Sequence, residues 1–278
     1  MSFKTVFLVV GATQADDEID RAAAICGALQ AHLAVLVVGV APPPPASPYG
    51  VVSNDIWASD IREGQTEVEA RARRIEEKLS GTALSSLVSA QYIDRGTVST
   101  LAARFARYAD LTLITPRCEG FEALQSWVIN GALFESGRPI LLLPQGKVAF
   151  PTVRKVMLAW DASVEAAKAV REAIGLMQAA EAVDAVLIDP VPSFEGHGPE
   201  PGADLAAYLG RHGITATVHR LPKEGRETGE LLRRTALDLG AELIVMGGFG
   251  HSRLRERIFG GTTTSMLKNV GVPVLMAH

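Results

Sequence analysis

The stretch VRKVMLAWDASVEAAKAVREAI, residues 153–174, combines a short apolar run, a polar turn and an alanine-rich segment. The run VMLAW is apolar throughout rather than alternating, which is typical of a strand buried on both faces of a parallel sheet. Asp161 and Ser163 are favourable helix N-cap residues, and Glu165 is favourable in a first helical turn. The stretch therefore predicts a strand, a turn and a helix, which together begin a βαβ unit.

A similar pattern occurs near the start of the chain, in FKTVFLVVGATQADDEIDRAAAI at residues 3–25. Later segments also correspond, namely AVLVVGVAP (34–42) with AVLIDP (185–190), RYADLTLITPR (107–117) with LGAELIVMGGF (239–249), and SGRPILLLP (136–144) with VGVPVLMAH (270–278). Self-similarity along most of a chain indicates a repeated structural unit. We predict two domains, residues 1–147 and 151–278, with PQGKVAFP at 144–151 as the linker.

Apolar strands alternate with amphipathic helices in the second copy. We place its strands near 154–160, 182–189, 214–221, 241–246 and 272–277. We place its helices near 163–178, 200–212, 225–239 and 260–270. This alternation predicts parallel strands with right-handed crossovers. The predicted fold class is α/β, with two tandem doubly wound, five-stranded parallel-sheet domains that are Rossmann-like.

Composition and charge limit the classes of function. Hydrophobic residues make up 47% of the 278 residues, and the net charge of −4 gives no overall attraction to nucleic acid or anionic membranes. The longest apolar run, LAVLVVGVA, is too short to span a bilayer, and the first residues lack a secretory pattern. The two cysteines, Cys26 and Cys118, form no CxxC motif and are interpreted as small buried residues. We expect a cytoplasmic protein without nucleic-acid or membrane partners.

The segment VMGGFGHSRLRERIFGGTTT, residues 245–264, follows the fourth strand of the second copy. In an open parallel sheet, ligands bind beyond the carboxyl ends of the strands where the strand order reverses. Gly247 and Gly250 would let backbone amides approach a phosphate there, and Arg253 would add a cation. Asp161, at the end of the first strand, would accept hydrogen bonds from a ribose or an adenine. The alternative for Asp161 is a plain helix cap.

The last helix of the second copy opens with Gly260, Gly261 and Thr262. Free amides and the positive end of the dipole make a helix N-terminus a natural phosphate site. The alternative interpretation of the whole segment is an ordinary turn with a glycine N-cap and a solvated basic loop. The segment contains no Walker motif, and no dinucleotide fingerprint follows the first strand.

The spacing Gly247-x2-Gly250-x9-Gly260, after a strand that ends in IVMG, resembles the nucleotide motif of the universal stress protein family. The VPVLM ending and the D-x-S sequence from Asp161 are also similar to that family. Because the resemblance in fold pattern covers both halves, the chain resembles a tandem universal stress protein. The resemblance implies strand order 3-2-1-4-5 in each domain, binding of ATP or AMP with or without Mg²⁺, and a regulatory role in the stress response.

The resemblance also implies a set of site residues. These are Ala159, Trp160, Asp161, Leu187, Met246, Gly247, Gly250 and Gly260, to which the basic loop and the start of the last helix add Arg253, Gly261 and Thr262. Leu187 stands near the position of a second-strand residue that contacts adenine in the family. The family has a serine or threonine where this chain has Gly261, so about one neutral hydrogen bond, worth roughly 0.5–1.5 kcal/mol, would be missing.

The resemblance further implies that the final strands of the two copies, PILLLP and PVLMAH, pair antiparallel and form an intramolecular pseudo-dimer. Further homodimerisation and the identity of a protein partner stay open. The proline-rich stretch APPPPASPYGVVSNDIWASD, residues 41–60, is interpreted as a loop with exposed Tyr49 and Trp57.

The first copy lacks the features of the nucleotide motif. Gly11 stands at the position of Asp161, Thr115 at that of Gly247 and Cys118 at that of Gly250. We therefore predict that the first copy does not bind nucleotide as the second does.

Catalytic residues are not evident, because no Ser–His–Asp arrangement or metal-ligand cluster has a persuasive spacing. At most, weak ATP hydrolysis is expected. Two alternatives stay open: an enzyme on a related fold, such as an ATP pyrophosphatase or a flavin electron-transfer subunit, and a tandem scaffold that has lost nucleotide binding.

Overall fold

The computed structural model describes residues 3–43, 54–116, 120–146, 150–194, 196–248, 261–268 and 270–278. These residues divide into two units, Phe3–Ser136 and Gly137–His278. Each unit contains a largely parallel sheet with helices in its crossovers, so the predicted α/β class is confirmed. No helix of the described residues is long and apolar enough to cross a membrane.

The first unit has its strands in the order β3-β2-β1-β4, and these strands are mutually parallel. Its elements are β1 (Thr5–Gly11), α1 (Asp17–Leu29), β2 (His32–Val40), α2 (Asn54–Ser80), β3 (Ser86–Ile93), α3 (Val98–Ala106), β4 (Leu111–Ile114) and α4 (Glu122–Ile129), followed by a π-helix at Asn130–Glu135. Strands β1 and β4 are almost entirely buried, as their continuous apolar sequences predict.

The second unit has the strand order β5-β10-β9-β6-β7-β8. Its elements are β5 (Ile140–Leu142), β6 (Lys155–Ala159), α5 (Val164–Ala179), β7 (Ala182–Ile188), α6 (Ala203–Arg211), β8 (Ala216–Leu221), α7 (Thr228–Leu239), β9 (Leu243–Gly247), α8 (Gly261–Lys268) and β10 (Val274–Ala277). Numbered from β6, the five parallel strands have the order 3-2-1-4-5, which confirms the expectation from the sequence.

Strand β5, the last strand of the first sequence repeat, belongs to the second unit. It pairs antiparallel with β10, with Leu142 opposite Val274 and Ile140 opposite Met276. All three residues of β5 and all four of β10 are buried. The expected antiparallel pairing of the two final strands is therefore confirmed.

The proline-rich stretch 41–60 is only partly a loop. Helix α2 begins at Asn54, so the interpretation as a loop is wrong for residues 54–60. The last proline of the stretch is Pro48, and nothing in NDIWASD prevents a helix. Trp57 is half-buried rather than exposed, and its indole N–H donates a hydrogen bond of 3.3 Å to the Pro42 carbonyl. Tyr49 lies outside the described residues.

Cys26 lies in the core of the first unit, on the face of α1 that packs inward. Its side chain is fully buried, as expected, and burial raises the pKa of its thiol to about 12. Cys118 lies outside the described residues.

We expect Cys26 to resist alkylation by iodoacetamide at pH 8, because the thiolate is the reactive form and is disfavoured in the core. In a Cys118→Ser variant, mass spectrometry should show little labelling of the folded protein while the urea-unfolded protein is labelled fully. Equal labelling rates in the two states would contradict the buried placement of Cys26.

Candidate functional site

The strand order places the ends of β6 and β9 side by side. Ala159 is the register partner of Met246 on these neighbouring parallel strands, so Trp160 and Gly247 leave the sheet at the same edge. Strand order reverses between β6 and β9, because β7 and β8 lie on one side and β10 on the other. Such a reversal opens a crevice beyond the carboxyl ends of the strands.

Asp161 and Ser163 build the start of helix α5. Asp161 Oδ1 accepts hydrogen bonds from the Ser163 backbone N–H at 3.0 Å and from its hydroxyl at 2.6 Å. Ser163 is the N-cap, because its Oγ accepts a hydrogen bond from the Ala166 N–H at 3.1 Å. The structure thus assigns the cap to Ser163 and a supporting role to Asp161. Asp161 is also exposed, and since a carboxylate accepts several hydrogen bonds, this role is compatible with a ligand contact.

Two non-glycine residues at neighbouring strand ends have left-handed backbone conformations. Ala162, after β6, has a φ of 61°, and Asp189, after β7, has a φ of 45°. Each such residue costs of the order of 1–2 kcal/mol and persists only where the surroundings enforce it. Asp189 is held by its Oδ1, which accepts a hydrogen bond from the Lys223 N–H at 3.0 Å, and by its own N–H, which donates to the Leu221 carbonyl at 2.9 Å. Strained residues of this kind cluster at binding sites.

Gly247 is required by the packing of α5. A Cβ atom on Gly247 would lie 2.5 Å from the Ala166 nitrogen and 2.8 Å from the Glu165 carbonyl carbon, both of which are backbone atoms. The first turn of α5 therefore rests directly on the end of β9. The sequence pattern indicates the approach of a phosphate at this glycine, whereas the structure gives it a packing role. No local sequence pattern reveals this role, because it depends on a contact between two segments that are distant in sequence.

Leu187 and Met246 contribute their side chains to the core rather than to the crevice. Leu187 is fully buried in β7 and points toward Gly202, where its Cδ1 lies 3.7 Å from the position of a Cβ. Met246 is 4% exposed. A ligand contact at either residue would therefore involve the main chain. Trp160, in contrast, is half-buried at the sheet edge.

Helix α8 begins at the exposed Gly261, and no atom of the described residues lies within 4 Å of its Cβ position. Thr262 is half-buried in the first turn. The helix packs against α7, where Arg233 Nη1 donates to the Ser265 carbonyl at 2.8 Å and to its hydroxyl at 2.7 Å. Three predicted site residues lie outside the described residues, namely Gly250, Arg253 and Gly260.

The corresponding edge of the first unit is closed by an aromatic ring. A Cβ on Gly11 would overlap the ring of Phe121, which precedes α4. The Gly11 N–H donates to Gln14 Oε1 at 3.0 Å, and Gln125 Nε2 donates to the Thr115 carbonyl at 2.5 Å. A cavity of about 30 Å³ remains between these groups, which is room for one or two waters. The sequence shows that Gly11 replaces the acid, but it does not show that the Phe121 ring occupies the space.

Residues 152–278 match the family model described as the Universal stress protein family. This half of the chain belongs to the universal stress protein family.

Within the described residues, no group of three His, Cys, Asp or Glu side chains is arranged to hold a metal ion.

Known universal stress proteins resemble the chain in sequence and in fold. Universal stress protein Slr1230 of Synechocystis is 28% identical over 141 residues, which are 50% of this chain and 46% of that protein. The chain therefore spans less than half the length of this curated relative. A universal stress protein structure from Archaeoglobus fulgidus covers 100% of this chain and 96% of its own, with a TM-score of 0.72 and 16% identity. The universal stress protein fold thus extends over both sequence repeats.

A structure described as a universal stress protein in complex with cAMP covers 46% of this chain and 98% of its own, with 16% identity and a TM-score of 0.34.

The Gly247→Ala variant should lose stability, because the added Cβ would collide with backbone atoms of α5 that cannot move without repacking the helix. We expect a loss of about 1–3 kcal/mol in the free energy of unfolding. Gly261→Ala is the matched control, because its Cβ position meets no atom of the residues that the structure describes. Urea unfolding followed by Trp160 fluorescence, in a Trp57→Phe and Trp127→Phe background, measures both. Equal stability of the two variants would refute the packing role of Gly247.

The Ala162→Gly variant should be as stable as the parent or more stable, by up to about 1 kcal/mol, because glycine adopts a φ of 61° without strain. In the interior of α5 the same exchange, Ala167→Gly, should instead cost about 1 kcal/mol. Thermal unfolding of the two variants compares them directly. A clear loss of stability in Ala162→Gly would exclude backbone strain at this position.

Proposed function

We propose that the second unit binds an adenine nucleotide, ATP or AMP, and that the chain acts as a nucleotide-dependent regulator in the stress response. The observation that carries this proposal is the junction of β6 and β9 at the reversal of strand order. There Asp161 and Gly247 both contact the first turn of helix α5, Asp161 through Ser163 and Gly247 through Ala166.

The two ends of the crevice differ in the chemistry they offer. At the β6 end, the exposed carboxylate of Asp161 would accept hydrogen bonds from ribose hydroxyls, and the half-buried ring of Trp160 would supply apolar contact. At the β9 end, the main chain beyond Gly248 and the first turn of α8 at Gly261 would supply amide donors to the phosphates. An acid for the sugar and amides for the anion fit a nucleoside phosphate.

The proposed contacts also draw on residues known from the sequence alone. Gly250 and Gly260 would complete the phosphate end, as the resemblance to the family implies, and Arg253 would add a cation between them in the sequence. A triphosphate would bring Mg²⁺ as its own counterion. Leu187 and Met246 would contribute only main-chain atoms, because their side chains are buried.

The first unit is expected to leave nucleotide unbound. Its crevice lacks the acid, since Gly11 stands at the position of Asp161, and the Phe121 ring occupies the space above that glycine. The remaining cavity of about 30 Å³ is too small for a purine. The first sequence repeat would then contribute strand β5, and the first unit would offer a surface for an unidentified protein partner rather than a second site.

Titration calorimetry with ATP and AMP tests the proposal. We expect saturable binding with one site per chain. Asp161→Ala should weaken binding about tenfold or more, because a hydrogen bond to a charged group contributes roughly 1.5–3 kcal/mol. Ser163→Ala is the matched control, because it removes the helix cap but leaves the carboxylate in place. It should weaken binding much less.

Three outcomes would contradict parts of the proposal. The absence of saturable binding would favour a scaffold that has lost its ligand. Two sites per chain would show that the first unit binds as well. ADP release that is sustained in the parent and abolished in Asp161→Ala would indicate an enzyme rather than a regulator.

A further inference from the structure

Both main-chain polar atoms of Gly248 are held by the residues at the end of β10. The Gly248 N–H donates to the Ala277 carbonyl at 2.9 Å. The Gly248 carbonyl lies 2.9 Å from His278 Nδ1. A carbonyl oxygen only accepts hydrogen bonds, so Nδ1 carries the proton in this contact.

His278 is held in turn by helix α5. Lys168 Nζ donates a hydrogen bond of 2.7 Å to the His278 carbonyl, and both residues are half-buried. Lys168 lies on α5 little more than one turn after Ser163, which caps the helix beside Asp161. One helix therefore supports the acid at the end of β6 and, through Lys168 and His278, the peptide at the end of β9.

We call Ala277, His278 and Lys168 the clamp, and such a clamp is needed where two glycines follow each other. Gly247 and Gly248 have no side chains to pack, and glycine loses more conformational freedom on ordering than any other residue. The direction in which the main chain leaves β9 is therefore fixed by hydrogen bonds rather than by side-chain packing. An anion site built from main-chain amides depends on that direction, because its donors must converge on one point.

We propose that His278 and Lys168 are positioning residues for the phosphate groups of the bound nucleotide, acting through the peptide of Gly248. This inference rests on the proposed function and assigns a role to two residues outside the glycine motif. Neither residue touches the nucleotide in this scheme. Their removal weakens phosphate binding because the backbone at the end of β9 loses its fixed orientation.

The test compares affinities for ATP and for adenosine by calorimetry. His278→Ala should weaken ATP binding by about threefold to tenfold, the equivalent of one neutral hydrogen bond, and should leave adenosine binding unchanged. His278→Asn should restore most of the ATP affinity, because its side-chain amide places a donor near the position of Nδ1. Lys168→Met should resemble His278→Ala.

Lys168→Met also removes a positive charge, which by itself weakens attraction to an anionic ligand, so this effect requires a control. Arg171→Met removes a cation from the exposed face of the same helix without touching the clamp, so it should leave the ATP affinity within about twofold of the parent. Unfolding midpoints of all four variants show whether any change in affinity follows a loss of fold.

The outcomes separate this inference from the proposed function. If the parent binds neither ATP nor AMP, the proposed function fails and the positioning role fails with it. If the parent binds ATP and Asp161→Ala weakens binding, the proposed function stands. Equal ATP affinities of His278→Ala and the parent, or an equal loss for ATP and adenosine, would then overturn the positioning role alone.

Discussion

The contact between the first turn of α5 and Gly247 is the constraint on which the second unit depends. The Ala166 nitrogen would lie 2.5 Å from a Cβ at this position, so the helix can start where it does only over a residue without a side chain. The position of α5 then fixes the Ser163 cap, the carboxylate of Asp161 and the lysine that holds His278. The packing of α5 and the geometry of the proposed site therefore have a common origin at the end of β9.

The two sequence repeats use the same strand order but finish the crevice differently. Each repeat has a glycine at this edge where a Cβ would collide with a neighbouring group, but the neighbouring group differs between the repeats. Gly247 admits the backbone of a helix, whereas Gly11 admits the ring of Phe121. In the first crevice, the Phe121 ring occupies the space above Gly11, and the side-chain amides of Gln14 and Gln125 bond the main chain at Gly11 and Thr115. The duplicated scaffold thus keeps its core, while in the first copy protein atoms fill the edge of the crevice.

The sequence predicted the parts of the structure that depend on local pattern. Continuous apolar strands, the D-x-S turn and the shared order of elements predicted the fold class and put the ends of β6 and β9 side by side. The sequence did not predict features that depend on contacts between distant segments, such as the packing role of Gly247 and the contact of His278 with Gly248. The start of α2 at Asn54 was missed because nearby prolines dominated the interpretation of that stretch. Leu187 was assigned from family position, and only the structure shows its side chain turned inward.

The pairing of β5 with β10 also bears on how the chain can be divided. Strand β10 is completely buried, and its outer hydrogen-bonding groups are satisfied by residues encoded in the first repeat. A protein that began after residue 150 would present Val274, Leu275 and Met276 along a bare strand edge, which is a template for association with another chain. The second repeat would then pair the exposed edge of β10 with a strand of a second copy of itself. Fusion of the two repeats supplies that neighbour internally, at fixed stoichiometry and without dependence on protein concentration.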